Sequence, residues 1–323
     1  MTRTASARLS GRAGIDASLV PFAVSDGTVL AIDDRPPGDP AGAPPATVVL
    51  VPGWTQDHTS WEDVAAELRR VAPQLRVVTP EARGHGRSDA GPRGTYTIDQ
   101  LADDLAEVLT GYLPDGPVVL AGHSLGGPIL MAFAERHPDL VRDRVIGVAL
   151  VATSAGGLGR DIFGLPGRLT APALLIEPLV VHVRSWSRAK VNLHHPALLA
   201  PLIRQGFYGP GAATRHNRMR TARQVCRAHP ATTAALVDEM VHHDRGHTLA
   251  ELDRTPTVVL VGTKDGLCPI AHSRAIAEAM PKAELVVYPG AGHMLPYERP
   301  TEVAEQLARL AGAGQSRRST SAE

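Results

Sequence analysis

Sulfur is scarce in this chain. Of 323 residues only Cys226 and Cys268 are cysteines, and no motif spacing relates them. That removes the paired-thiolate redox and zinc patterns. It leaves two idle thiols of a reducing compartment as the reading, with a single disulfide between them still open. An excess of one charge is missing too. Thirty-three Lys and Arg balance thirty-three Asp and Glu, so nothing in the charge calls for nucleic acid or an anionic membrane as partner. No stretch approaches the ~18 apolar residues of a membrane-spanning helix, and no membrane insertion is expected. Arg3, Arg8 and Arg12 are followed by no apolar run, which argues against a secretory signal. The expectation is a cytoplasmic protein acting on a small molecule. What the chain does have is core: 43% of its residues are hydrophobic, enough for one large domain with an insertion or for two ordinary ones.

Short apolar runs alternate with helical patterns. Leu19 to Val24 and Val29 to Asp33 flank Ser25-Asp26-Gly27-Thr28 and read as a hairpin turning on Asp-Gly. Thr47 to Val51 is a continuous β-branched run, as in a strand buried on both faces. A helix is expected to open near Thr59-Ser60-Trp61-Glu62-Asp63, with Thr59 and Glu62, or Ser60 and Asp63, as a capping box. Arg76 to Thr79 is a further strand, and Thr97 caps the helix that follows. Strands at Val118 to Ala121 and Val145 to Val151 come next, and the same rhythm returns with strands Val258 to Gly262 and Leu285 to Tyr288. Strand–helix alternation predicts an α/β fold, a mostly parallel sheet with helices on both faces.

Between them, residues 153–253 are proline-punctuated and rich in Arg and His. They read as a helical lid inserted over the carboxyl edge of the sheet, where open α/β sheets place their sites. The core is then 19–152 and 254–312, with disordered tails at 1–18 and 313–323.

One stretch organises the rest. In Val118-Val119-Leu120-Ala121-Gly122-His123-Ser124-Leu125-Gly126-Gly127 a buried strand runs into a sharp turn carrying a serine and then into a helix. Gly122-x-Ser124-x-Gly126 has the form of a nucleophile elbow, with the serine at a helix N-terminus that favours developing negative charge. A serine hydroxyl needs a base, and the base an orienting acid. The order for this architecture is Ser, then Asp or Glu, then His. Asp265 follows one late strand in Gly262-Thr263-Lys264-Asp265, and His293 follows the next in Gly290-Ala291-Gly292-His293. An oxyanion needs two backbone donors. The N–H of Leu125, just after the serine, is one, and that of Trp54, in the loop after Thr47 to Val51, is the other.

These segments, together with Val51-Pro52-Gly53-Trp54 and Arg83-Gly84-His85-Gly86-Arg87-Ser88-Asp89, resemble the α/β-hydrolase superfamily over about residues 19 to 312. The resemblance implies an α/β-hydrolase fold and a triad at the matching Ser124, Asp265 and His293. Many relatives have histidine where this chain has Pro52. The oxyanion hole uses backbone atoms, so the exchange is expected to be tolerated. Serine at 124, rather than aspartate, argues against the epoxide hydrolases and haloalkane dehalogenases of the same fold. By the same analogy His85 is a structural loop residue, and His123 serves packing or hydrogen bonding.

The insertion contains His182, His194, His195, His216, His229, His242, His243 and His247. Their spacing matches no zinc pattern, so neither metal nor organic cofactor is expected. Leu174-Leu175-Ile176, Leu179-Val180-Val181 and Leu198-Leu199 line an acyl pocket or form the insertion's own core. The reading is a serine hydrolase of a carboxylic ester working through an acyl-enzyme. Thioester, lactone, amide or C–C hydrolysis, acyl transfer and cofactor-free perhydrolysis would use the same residues. A non-catalytic binding protein on the same fold is the rival of another class.

Overall fold

A computed structural model describes residues 19–38, 45–158, 195–200, 203 and 207–321. Eight strands, β1 (Leu19–Ala23), β2 (Val29–Arg35), β3 (Thr47–Val51), β4 (Arg76–Pro80), β5 (Val118–His123), β6 (Val145–Val151), β7 (Thr257–Gly262) and β8 (Glu284–Tyr288), form one sheet. Their spatial order is β1-β2-β4-β3-β5-β6-β7-β8. The pairs β1/β2 and β2/β4 are antiparallel, and all others are parallel. The hairpin turns as expected, with Gly27 at φ 84° and the Asp26 carboxylate accepting the Thr28 N–H.

Helices cover both faces. They are α1 (Glu62–Val71), α2 (Ile98–Glu107), α3 (Gly126–Arg136), α4 (Pro138–Arg144), α5 (Pro196–Leu199), α6 (Arg215–Arg227), α7 (Pro230–His242), α8 (Leu249–Leu252), α9 (Ile270–Ala279), α10 (Leu295–Glu298) and α11 (Pro300–Ser321). The alternation of a strand explains the two-layered core. Val48 and Leu50 of β3 join Val64 and Leu68 of α1 and Val303 and Leu307 of α11 on one face. Val49 and Val51 join Leu101 and Leu105 of α2 and Ile129 and Phe133 of α3 on the other. Two buried faces require apolar residues at every position, hence the unbroken run.

Two local expectations are corrected. The capping box near Thr59 does not form. Asp57 caps instead, accepting from Thr59 N and Thr59 Oγ1, while Ser60 Oγ turns back to the Asp57 carbonyl. A carboxylate two residues earlier reaches the first free N–H before either hydroxyl. At the other end, α11 continues to Ser321, through most of the expected tail. The Ala, Gln and Arg after Leu310 are good helix formers, and no proline stops them. Thr97, in contrast, caps α2 as read, accepting from Gln100 N.

The chain leaves β3 for β4 on one side of the sheet and returns to β5 on the other. The β3/β5 junction is therefore the switch point, beside which a crevice opens at the carboxyl ends. Register brings those ends abreast: Val51 pairs with Gly122, His123 with Val151, and Gly262 with Tyr288. The described residues between β6 and β7 are largely helical and lie against these loops. His229 N–H donates to Gly84 C=O, Arg220 pairs with Asp63, and Trp54 Nε1–H donates to Thr233 C=O. The tail 1–18, His182, His194 and the apolar pieces at 174–181 lie outside the described residues, as do the side chains of Leu198 and Leu199. No helix among the described residues is long and apolar enough to cross a membrane.

Candidate active site

Ser124 follows β5 directly, with Leu125 between it and α3. Its φ is +53°, a left-handed conformation that a side chain pays for. The flanking glycines make the turn possible. A Cβ on Gly122 would drive into the Gly126 carbonyl, and one on Gly126 into the Val51 carbonyl. The turn is held from behind: Ser124 N–H donates to Val151 C=O at 3.0 Å, and Thr153 Oγ1 donates to Ser124 C=O at 2.7 Å. Thr153 is a residue that sequence reasoning missed. It stands just past β6 and carries no local pattern to mark it.

Asp265 and His293 meet. His293 Nδ1 lies 2.9 Å from Asp265 Oδ2 and 3.1 Å from Oδ1, with both side chains essentially buried. A carboxylate only accepts, so the proton sits on Nδ1 and leaves Nε2 as the basic nitrogen. Asp265 is itself fixed, its Oδ1 accepting from Leu267 N–H at 2.9 Å and Cys268 N–H at 2.8 Å. His293 is fixed by Phe207, whose carbonyl accepts from His293 N–H and Met294 N–H. The Phe207 ring stands edge-on to the imidazole, 6.4 Å between centroids. Phe207 too escaped sequence reasoning, because it comes from the middle of the insertion.

The elbow and the base share a wall. The His123 ring lies 4.9 Å from that of His293, and its Nε2 is 2.9 Å from the His293 carbonyl oxygen. Burial first, and then the neighbouring His293, push the His123 pKa down to about 3, so His123 is neutral.

The loop after β3 closes the other side. A Cβ on Gly53 would stand 3.1 Å from Ser124 Cβ. Among the described residues no backbone carbonyl outside the helices and strands accepts the N–H of Trp54 or of Leu125. His85 is buried, with Nδ1 3.0 Å from the Arg83 carbonyl oxygen, and burial lowers its pKa. Neither Cys226 nor Cys268 is in a disulfide, and burial and the Asp265 charge hold the Cys268 thiol above its usual range.

Asp57, His58 and Glu81 form the one cluster of possible metal ligands among the described residues, their ligand atoms within 4.8 Å of one another. Its oxygens are already taken. Asp57 accepts from Thr59, Gln224 and Arg227, and Glu81 from His58 and from Arg87 N–H. The cluster is a hydrogen-bonded brace beneath the loop after β3.

Comparison with known proteins gives a consistent picture. The family model "Alpha/beta hydrolase family" matches residues 48–306. An uncharacterised protein of Mycobacterium tuberculosis is 30% identical over 289 residues, covering 84% of this chain and 76% of that protein. The lipase LipV of the same organism is 30% identical over 267 residues, covering 80% of this chain and 91% of the lipase. Among solved structures, a thermophilic esterase from Thermogutta terrifontis superposes with a TM-score of 0.71 at 27% identity, covering 93% of this chain and all of the esterase.

Proposed function

The chain belongs to the alpha/beta hydrolase family, and from that premise we propose that it is a serine hydrolase cleaving a carboxylic ester of a small or medium apolar substrate. The observation that carries the reading is the buried His293–Asp265 hydrogen bond beside a serine held at positive φ. The names of the lipase and esterase relatives support the ester.

Ser124 Oγ attacks the ester carbonyl while His293 Nε2 takes its proton. The Asp265 carboxylate holds the resulting imidazolium and keeps the ring in the tautomer with Nδ1–H. The N–H groups of Trp54 and Leu125 receive the oxyanion. The imidazolium returns its proton to the leaving alcohol. Water, activated by the same nitrogen, then hydrolyses the acyl-enzyme. The Ser124–His293 hydrogen bond tightens with substrate in place, as such bonds often do in the complex. Residues 153–253 act as the lid over this site, and the enzyme works in the cytoplasm without metal or organic cofactor.

The test is covalent labelling by a fluorophosphonate together with p-nitrophenyl ester turnover. Wild type is labelled at Ser124 and turns over. Ser124→Ala is neither labelled nor active, with its thermal melt nearly unchanged. Substantial turnover by that variant removes Ser124 from the mechanism.

A further inference from the structure

We propose that Gln56 is a positioning residue that holds the loop carrying the Trp54 N–H in place against the serine elbow. The inference rests on the serine-hydrolase reading above. Gln56 ends the turn that follows β3 and is 4% exposed. Its backbone N–H donates to Gly53 C=O at 3.0 Å, closing the turn. Its side chain then folds back over that turn. Oε1 accepts from Gly53 N–H at 3.2 Å and lies 3.0 Å from His123 Nδ1, while Nε2–H donates to Met294 Sδ at 3.4 Å. One amide thus touches the residue before Trp54, the residue before Ser124 and the residue after His293.

The orientation of the amide is fixed. Gly53 N–H can only donate, so the oxygen must face it, and the same oxygen then faces the imidazole. A neutral His123 has one N–H for two acceptors, Gln56 Oε1 and the His293 carbonyl. That one proton serves one of the two acceptors at a time. The turn itself needs this clamp, because Thr55 sits at φ +63°, a conformation β-branched residues resist. Without the amide, Gly53 N–H loses its acceptor in a buried setting and the turn is free to shift. A displacement near 1 Å at a reacting group can cost about 10²-fold in rate.

The experiment is a double-mutant cycle in kcat. Gln56→Met keeps the side-chain volume and removes the amide; Trp54→Pro removes the N–H that the amide positions. Gln56→Met is expected to lower kcat about 30-fold with KM within about twofold, since binding groups are untouched. In the Trp54→Pro background the same change is expected to cost less than about threefold, because residues acting through one group are not additive. Gln56→Glu, which keeps an oxygen for Gly53 N–H, is expected to retain about tenfold more kcat than Gln56→Met. It serves alone if Gln56→Met does not fold, with kcat within about tenfold of wild type as the expected result. Wild-type kcat in Gln56→Met, equal losses in both backgrounds, or a Glu variant no better than Met each overturn the inference while leaving the hydrolase reading intact. Where the Glu variant stands alone, a loss of more than about tenfold does the same. Wild-type kcat in Trp54→Pro alone overturns the oxyanion reading and the inference with it.

Discussion

Replacing Asp265 by Asn keeps the shape of the side chain and changes one hydrogen bond in a direction that the structure dictates. Asp265 Oδ1 accepts two backbone N–H groups, from Leu267 and Cys268. An asparagine amide can satisfy both only with its oxygen in that place. Its NH2 must then occupy the position of Oδ2, 2.9 Å from His293 Nδ1. Two donors cannot face each other, so Nδ1 gives up its proton and Nε2 takes it. The base is then blocked in its resting form, and the imidazolium loses its counter-charge. The expected fall in kcat is on the order of 10²–10⁴ with KM little changed, or about 3–5 kcal/mol of barrier. Steady-state hydrolysis of a p-nitrophenyl ester at neutral pH reads it, with the thermal melt as a control for folding. A loss under about tenfold would take Asp265 out of the triad and leave it a role only in shaping its own turn.

Two further outcomes concern the scaffold. The Arg83 guanidinium is fully buried and grips Asp104 with two hydrogen bonds; Arg83→Met is expected to cost about 3–5 kcal/mol in urea unfolding by stranding that carboxylate, and Arg83→Met with Asp104→Leu to recover most of it. Burial alone would lower the His58 pKa, but its bond to Glu81 and the charges of Glu81 and Asp57 raise it. The folded state therefore holds the proton more tightly than the unfolded chain. This stabilisation is complete below about pH 6.5 and is lost as pH rises through the raised value. Unfolding free energies from pH 6 to 9 should fall more steeply for wild type than for His58→Asn, and equal slopes would refute the pairing.

What the sequence made legible is what periodicity and local turn chemistry encode. The unbroken run of β3, the hairpin at Asp26-Gly27 and the elbow glycines each follow from a constraint acting within a few residues, and each was found in place. The pairing of Asp265 with His293 was legible only as order along the chain, because both follow neighbouring parallel strands whose register the run lengths fix. Gln56, Thr153 and Phe207 were not legible. Their partners lie 67, 29 and about 86 residues away, and no period marks a residue whose role exists only once the sheet has formed. The capping box failed first on a local rival, since Asp57 lies two residues before Thr59 and reaches its N–H, and then on distance, since Gln224 and Arg227 of α6 hold that carboxylate in place.

Trp54 offers a way to separate a backbone role from a side-chain role. It is the second residue of the turn closed by Gln56 N–H and Gly53 C=O, and Thr55, the third, has φ +63° while Trp54 is not in the positive region. That is the pattern of a type II turn, in which proline is at home in the second position. Trp54→Pro therefore keeps the backbone path and deletes the N–H. Trp54→Ala keeps the N–H and deletes the same indole, with its Nε1–H bond to Thr233. Any effect of the lost side chain is common to both variants, and their ratio isolates the donor. Loss of one oxyanion donor is expected to lower kcat by about 10²–10³. Trp54→Pro should thus turn over at least about a hundredfold more slowly than Trp54→Ala, with similar KM and similar melting temperatures. If the two variants hydrolyse ester at the same rate, the oxyanion does not receive its hydrogen bond from Trp54, and the second donor must be sought elsewhere in the loop after β3.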